Sequence, residues 1–233
     1  MSQPISRRQL LQWSGLSGAG LLLNSCGSSF GSSEVGQAFE PWNQATQALL
    51  LSQKPVPEFP SSAIEPDKLL INTFDQTPQI DPKKYRLEIA GEVNQPMQLS
   101  LVDLQALPIT SMVIQHVCVE GWAAIVQWSG VRLQELLRLA QLKSSARYVY
   151  FKSADGYYES WDLASAIHPQ TLMAYQKNGQ PLSIDNGAPL RLASPIKLGY
   201  KQSKWVTQII LTNQLMPTKG YWVDQGYEWF GGL

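Results

Sequence analysis

The stretch Tyr148-Val-Tyr-Phe-Lys-Ser-Ala-Asp-Gly-Tyr-Tyr-Glu-Ser-Trp161 sets the fold class. Its two halves, Tyr148–Lys152 and Tyr157–Trp161, are rich in strand-forming aromatic residues, and Asp155-Gly156 between them is a turn pair that accepts the positive φ of a tight hairpin. Two antiparallel strands are therefore expected. Just before them, Leu133, Leu136, Leu137 and Ala140 within Val131–Leu142 fall at the spacing that puts four apolar side chains on one helical face. Hairpins mixed with helices argue for an α+β domain rather than a parallel doubly wound sheet. The chain has no Gly-x-Gly-x-x-Gly or P-loop pattern, which disfavours a Rossmann-type nucleotide enzyme.

Outward from this hairpin the alternation of element types continues. Tyr85, Leu87 and Ile89 alternate with Arg86 and Glu88 as a half-buried strand, and Ser100-Leu-Val-Asp103 has the form of a capping box that opens a helix. Met112–Val119 reads as a buried strand and Trp205–Thr212 as another, with Asn178-Gly179 and Asn186-Gly187 as turns. The compact domain is expected to occupy residues 69–233. Ahead of it, residues 27–68 read as linker and surface-wrapping segment. Gly27–Gly36 is small and polar, and Lys54–Pro66 carries Pro55, Pro57, Pro60 and Pro66, with a short helix over Trp42–Leu51 between them. A chain of 233 residues, 44% of them hydrophobic, can bury one full core.

The formal net charge is zero, so no global field draws the molecule to nucleic acid or to an anionic membrane. The 8 Trp and 9 Tyr suit a ligand-lined cavity and an ordinary core equally. Residues 1–26 carry the pattern of an export signal. Arg7-Arg8 precedes a Gly- and Leu-rich apolar run that ends near Leu23 and is too short to span a membrane. The paired arginines resemble a twin-arginine signal, whose route carries folded proteins, often with cofactor inserted. An ordinary secretory signal with a basic leading region is the alternative. Leu23-Asn-Ser-Cys26 also looks like a lipoprotein cleavage box, so a periplasmic location is expected, with Cys26 either lipidated or removed with the signal.

The chain has 2 Cys, and with Cys26 removed or lipidated Cys118 has no disulfide partner. A lone thiol in an oxidising compartment is buried and inert, a nucleophile, or a metal ligand. Cys118 ends an apolar strand and is followed by Val119-Glu120-Gly121-Trp122, where Gly121 permits a tight turn beside the thiol. With only His116 and His168 as imidazoles, a four-ligand zinc site of thiols and histidines cannot be assembled. A Cys–His nucleophile stays open, although His116 lies only two residues before the thiol on the same strand side; His168, followed by Pro169, reads as a packing residue at a helix end. A second constellation is electrostatic. From Ala188 to Val223 there is no Asp or Glu, while Arg191, Lys197, Lys201, Lys204 and Lys219 all fall there. Such a stretch is either a solvated basic face or, with Asn186-Gly187 turning the backbone ahead of it, a phosphate site.

The two constellations combine in a resemblance. His116-Val-Cys-Val-Glu-Gly-Trp122, Trp128-Ser-Gly-Val131, His168-Pro-Gln-Thr-Leu-Met173, Asn186-Gly-Ala-Pro-Leu-Arg191 and Gly199-Tyr-Lys201 resemble, in order and spacing, the sulfite-oxidase-type molybdopterin enzymes. The resemblance runs from about Leu69 to Thr212 and is closest to the catalytic subunits of periplasmic protein-methionine-sulfoxide reductases. It implies a sulfite-oxidase-type molybdopterin-binding fold holding one molybdenum-molybdopterin, without haem. Cys118 inherits the role of catalytic metal ligand, beside the two dithiolene sulfurs. The same resemblance implies that Asn72, Ser153, Asn186, Arg191, Gln202, Ser203 and Lys204 hold the pterin and its phosphate. Ser153 stands where those reductases have threonine, which keeps a hydroxyl, and Gln115 and Val117 stand where they have arginines, which bears on the substrate.

The reaction implied is two-electron oxygen-atom transfer, with the protein supplying binding, orientation and electrostatics. Reduction of a small-molecule or protein sulfoxide is the first reading, with electrons from a membrane donor subunit. A sulfite oxidase and a cofactor-free exported binding module are the alternatives, and metal analysis separates them.

Overall fold

The computed structural model describes residues 53–73 and 75–233, together with Phe39, Trp42, Asn43, Ala45, Thr46, Gln47, Leu49, Leu50 and Leu51. The export signal, Cys26 and Gly27–Gly36 lie outside the described residues. Two units divide at Trp42, and the architecture below is that of Asn43–Leu233. Of the helix expected over Trp42–Leu51, the described residues from Trp42 to Leu50 are helical, and Leu51 N donates to Gln47 O at 2.9 Å.

In chain order the strands are β1 (Arg86–Gly91), β2 (Met97–Ser100), β3 (Thr110–Val117), β4 (Ala123–Arg132), β5 (Tyr148–Ser153), β6 (Tyr158–Asp162), β7 (Leu172–Lys177), β8 (Gln180–Pro181), β9 (Arg191–Ala193) and β10 (Val206–Thr212). The helices α1 (Leu101–Gln105), α2 (Leu133–Leu139) and α3 (Leu163–Ala166) are short. One sheet has the order β2-β1-β10-β5-β6, and the other β3-β4-β7-β8 with β9 also on β7. Among the described residues only β1 and β10 pair in parallel; the other neighbours are antiparallel, as suits an α+β domain.

The hairpin expected around Asp155-Gly156 is β5–β6, with Tyr148 opposite Asp162 and Lys152 opposite Tyr158. Gly156 turns at φ +87. The capping box at Ser100 is formed in full: Ser100 Oγ accepts from Asp103 N at 3.1 Å, and the Asp103 carboxylate accepts from Ser100 N at 2.8 Å. Such a cap contributes about 1 kcal/mol to a helix of only five residues. The helix expected over Val131–Leu142 is shorter than its apolar pattern, because Gly130, Val131 and Arg132 are taken into β4 against Ala174, Met173 and Leu172. A Cβ at Gly130 would sit 2.1 Å from Met173 O, so the close strand approach depends on the missing side chain.

The apolar face of α2 packs where the pattern put it. Leu133, Leu136, Leu137 and Ala140 share one buried cluster with Leu87 and Ile89 of β1, Val149 and Phe151 of β5, and Ile209 and Leu211 of β10. A second cluster joins Met112 and Ile114 of β3 to Val126 and Trp128 of β4. The proline-rich segment wraps this second sheet: Phe59 N donates to Val113 O at the free edge of β3, and Glu65 N donates to Ile125 O of β4, both at 2.9 Å. Prolines keep the segment extended while the residues between them cover open strand edges.

Candidate functional site

β3 ends at Val117 and the chain turns back into β4 through Cys118–Trp122. Cys118 N donates to Trp122 O at 2.9 Å and Gly121 N to Cys118 O at 3.2 Å. Gly121 has φ +88, which a side chain would resist. The half-buried thiol therefore sits on a closed turn at the end of a packed strand. One oxygen of Glu120 gathers the turn, accepting from Trp122 Nε1 at 2.9 Å, Asn72 Nδ2 at 2.7 Å and the Cys118 thiol at 3.5 Å. These bonds hold the Glu120 carboxyl below the usual range, the one from Trp122 most. Burial, with the adjacent carboxylate adding to it, pushes the Cys118 thiol up.

That environment does not suit a free nucleophile, which needs a cation or base to favour the thiolate. His116 does not supply one. It is buried, stacked on Trp122 with ring centroids 6.0 Å apart, and pushed down to about 3 by burial and then by Arg191. The Cys–His alternative loses its base, whereas a cation bound at the sulfur would favour the thiolate directly.

Cys118 opens on a cavity of about 520 Å³. Asn72, Asn186, Arg191, Gln202, Ser203 and Lys204 also line it, from three further segments of the chain. Of the residues expected to hold a cofactor only Ser153 is outside the lining; it ends β5 beside Val206, and its buried hydroxyl has no partner. Asn186 closes a 3₁₀ turn (Ile184–Asn186) capped by Gly187 at φ +104. A Cβ there would lie 3.0 Å from both the Arg191 and the Lys204 Cβ, so the Asn-Gly pair lets those two cations flank one turn.

The floor of the cavity is positive. Arg191 is buried, donates to Asn186 O at 3.1 Å and Leu192 O at 3.3 Å, and lies 4.4 Å over the Trp128 ring. Among the described residues no carboxylate pairs with it. Burial pushes it down to about 9, and burial with the Arg191 charge pushes Lys204 down to about 8. Lys204 Nζ donates to Asn72 O at 2.5 Å and Asp185 O at 2.9 Å. Beside them the buried Ser203 hydroxyl has no partner. A buried guanidinium without a carboxylate, a partly buried lysine and an unsatisfied hydroxyl in one lining favour a bound anion, so the residues present fit a phosphorylated cofactor. The Gln202 amide faces the other way, donating to Ser194 O at 2.9 Å and Lys197 O at 2.7 Å, and fixes the turn rather than presenting a free donor.

The basic run from Ala188 to Val223 is thus not one surface. Lys197 pairs with Asp162 at 3.3 Å, and Lys201 is wholly buried against Glu159, also wholly buried. Both lysines brace the wall instead of facing the cavity. Tyr200 of the Gly199-Tyr-Lys201 motif does line it, as do Trp222 and Tyr227 from the C-terminal segment, and these last two no sequence pattern singled out. No local spacing pointed to them, since they reach the cavity only through long-range pairing.

A mixed two-sheet domain in which a half-buried thiol and a buried guanidinium line one cavity has the features of a cofactor-binding domain. The chain belongs to the oxidoreductase molybdopterin-binding domain family, whose model matches residues 74–222. It is 45% identical over 158 residues to a provisionally named protein-methionine-sulfoxide reductase subunit, YedZ1, of Azospira oryzae, covering 68% of this chain and 60% of that protein. It is 32% identical over 163 residues to the uncharacterised oxidoreductase YuiH of Bacillus subtilis, covering 70% of this chain and 81% of that protein. Among solved structures, the sulfane dehydrogenase SoxCD from Paracoccus pantotrophus shares the fold with a TM-score of 0.56 at 22% identity, over 62% of this chain and 46% of that one.

Proposed function

We propose that this chain reduces a neutral sulfoxide-type substrate by two-electron oxygen-atom transfer, with Cys118 as the protein's ligand to a molybdenum-molybdopterin cofactor. The observation that carries the reading is the convergence on one cavity of a lone thiol and a buried guanidinium that lacks a carboxylate. When bound, the cofactor supplies the two-electron redox chemistry. The chain's own residues do the rest: Arg191, Lys204 and the Ser203 hydroxyl hold the phosphate end, Asn186 shapes the turn around it, and Glu120 with Trp122 and Asn72 fixes the direction of Cys118. The sulfoxide takes up two electrons and two protons and leaves as sulfide and water.

The charge left in the cavity lining favours a sulfoxide over sulfite. Once a phosphate neutralises Arg191 and Lys204, the remaining charged lining is Glu120, Asp155 and Asp185, all carboxylates. A sulfite dianion would meet like charge without a basic partner, whereas a neutral S-oxide meets none. A membrane donor subunit fits the naming of the Azospira relative as a subunit, and export by the twin-arginine route fits Arg7-Arg8; cell fractionation tests the latter.

Cys118→Ser tests the reading. Serine is close in size, so the turn should persist, but a hard hydroxyl cannot replace the thiolate at a soft metal. Turnover with an artificial donor is expected to vanish while circular dichroism and most of the pterin remain. A serine variant that works at close to the wild-type rate, or wild-type protein without molybdenum, would overturn the assignment.

A further inference from the structure

The segment that follows β10 carries a short aromatic loop fastened on both sides. On the leading side Tyr221 N donates to Tyr158 O at 3.0 Å, and Ser160 Oγ donates to Lys219 O. On the trailing side Trp229 Nε1 donates to Ser160 Oγ at 2.8 Å, Lys197 Nζ to Phe230 O at 2.6 Å, and Leu198 N to Gly231 O at 2.9 Å. Between these anchors the loop closes on itself: Tyr227 N and Gln225 N both donate to Trp222 O, at 3.0 and 3.1 Å, and Gly226 turns at φ +97.

The closure sets the Trp222 and Tyr227 rings 5.3 Å apart, and Tyr227 packs edge-on to Tyr200 at 5.5 Å. All three rings line the Cys118 cavity. Trp222 and Tyr227 nevertheless stay 37% and 40% exposed, and Val119, next to the thiol, is 45% exposed. The cavity therefore has the buried Arg191 at its floor and partly exposed aromatic rings at its mouth. Rings held by backbone bonds and left partly open beside a reacting centre are placed to receive apolar surface from a ligand.

We propose that Trp222 and Tyr227 determine specificity, forming a platform at the cavity mouth on which a bulky apolar substituent of the substrate's sulfur lies. This rests on the sulfoxide reading above, and it makes aryl sulfoxides better substrates than dimethyl sulfoxide. A phenyl group seated on two fixed rings gains about tenfold in affinity over a methyl group.

The test uses the molybdenum-loaded protein as wild type, Trp222→Ala, Trp222→Phe, Tyr227→Ala and Tyr227→Leu. Tyr227→Leu keeps packing volume while removing the ring. kcat/KM is measured for dimethyl sulfoxide and methyl phenyl sulfoxide with an artificial donor, and binding of the non-reacting methyl phenyl sulfone is measured by calorimetry. Wild type is expected to prefer the phenyl substrate about tenfold, each ring-removing variant to lose most of that preference through KM, and Trp222→Phe to retain it. An unchanged preference, or sulfone affinity that ring removal leaves intact, overturns the platform. Sulfone binding that weakens in the variants while wild type reduces neither sulfoxide upholds the platform and overturns the sulfoxide reading instead.

Discussion

Replacing Arg191 by methionine should separate holding the cofactor from holding the fold. In the cofactor-free protein the change removes a buried charge whose desolvation costs several kcal/mol, the same burial that pushes Arg191 down to about 9. Against that stand the lost hydrogen bonds to Asn186 O and Leu192 O, worth about 1.5–3 kcal/mol each, and the cation–π contact with Trp128, worth about 1–2 kcal/mol. These contributions oppose one another, and methionine fills much of the vacated stem, so cofactor-free stability should move by no more than about 2 kcal/mol. Cofactor binding has no such compensation. Loss of one charged hydrogen bond to phosphate costs about 1.5–3 kcal/mol, or roughly 10- to 150-fold in affinity. Pterin and molybdenum content after gel filtration, with melting curves of loaded and cofactor-free protein, measures both sides. The exposed Lys143→Met serves as control. If Arg191→Met keeps its cofactor as well as that control, the cationic floor is not where the anion sits.

Glu159→Gln should cost about 3–5 kcal/mol in urea unfolding, because it strands the wholly buried Lys201 without its counter-charge, whereas Glu159→Met with Lys201→Met should cost much less. A loss below about 1 kcal/mol for the single variant would mean the pair is neutral in the folded protein. His168 Nδ1 accepts from Gln170 N at 3.2 Å and Nε2 faces Lys54 O at 3.3 Å, an arrangement that suits the neutral ring, and burial holds His168 below its ordinary 6.5. Below pH 6.5 the unfolded chain then binds more protons than the folded one, so this contribution is present above that pH and is lost as pH falls. Melting temperature should fall less steeply between pH 7 and 5 in His168→Gln than in wild type; parallel slopes would show that the ring carries no such linkage.

Much of the fold was legible because it rests on local rules. The Asp155-Gly156 hairpin, the Ser100 capping box and the alternation of Leu87 and Ile89 all depend on neighbours a few residues away, and all are formed. The helix after Val131 was drawn too long because apolar periodicity cannot tell a helix face from a strand that β7 claims. The basic run misled for a related reason: the partners of Lys197 and Lys201 lie 35 and 42 residues away, out of reach of any composition window.

The sequence by itself determined the α+β class, the hairpins and the lone thiol at a strand end, and its ordered motifs pointed to the family. Those features are written in the spacing of residues along one element or in short segments that keep their order. Only the tertiary structure decided which charges face the cavity, that Gln202 turns its amide into the wall, and that Trp222 and Tyr227 reach the mouth beside Cys118. The physical reason is burial: whether a lysine is a ligand site or half of an ion pair depends on what the fold packs against it, and the low dielectric that makes the choice exists only after folding.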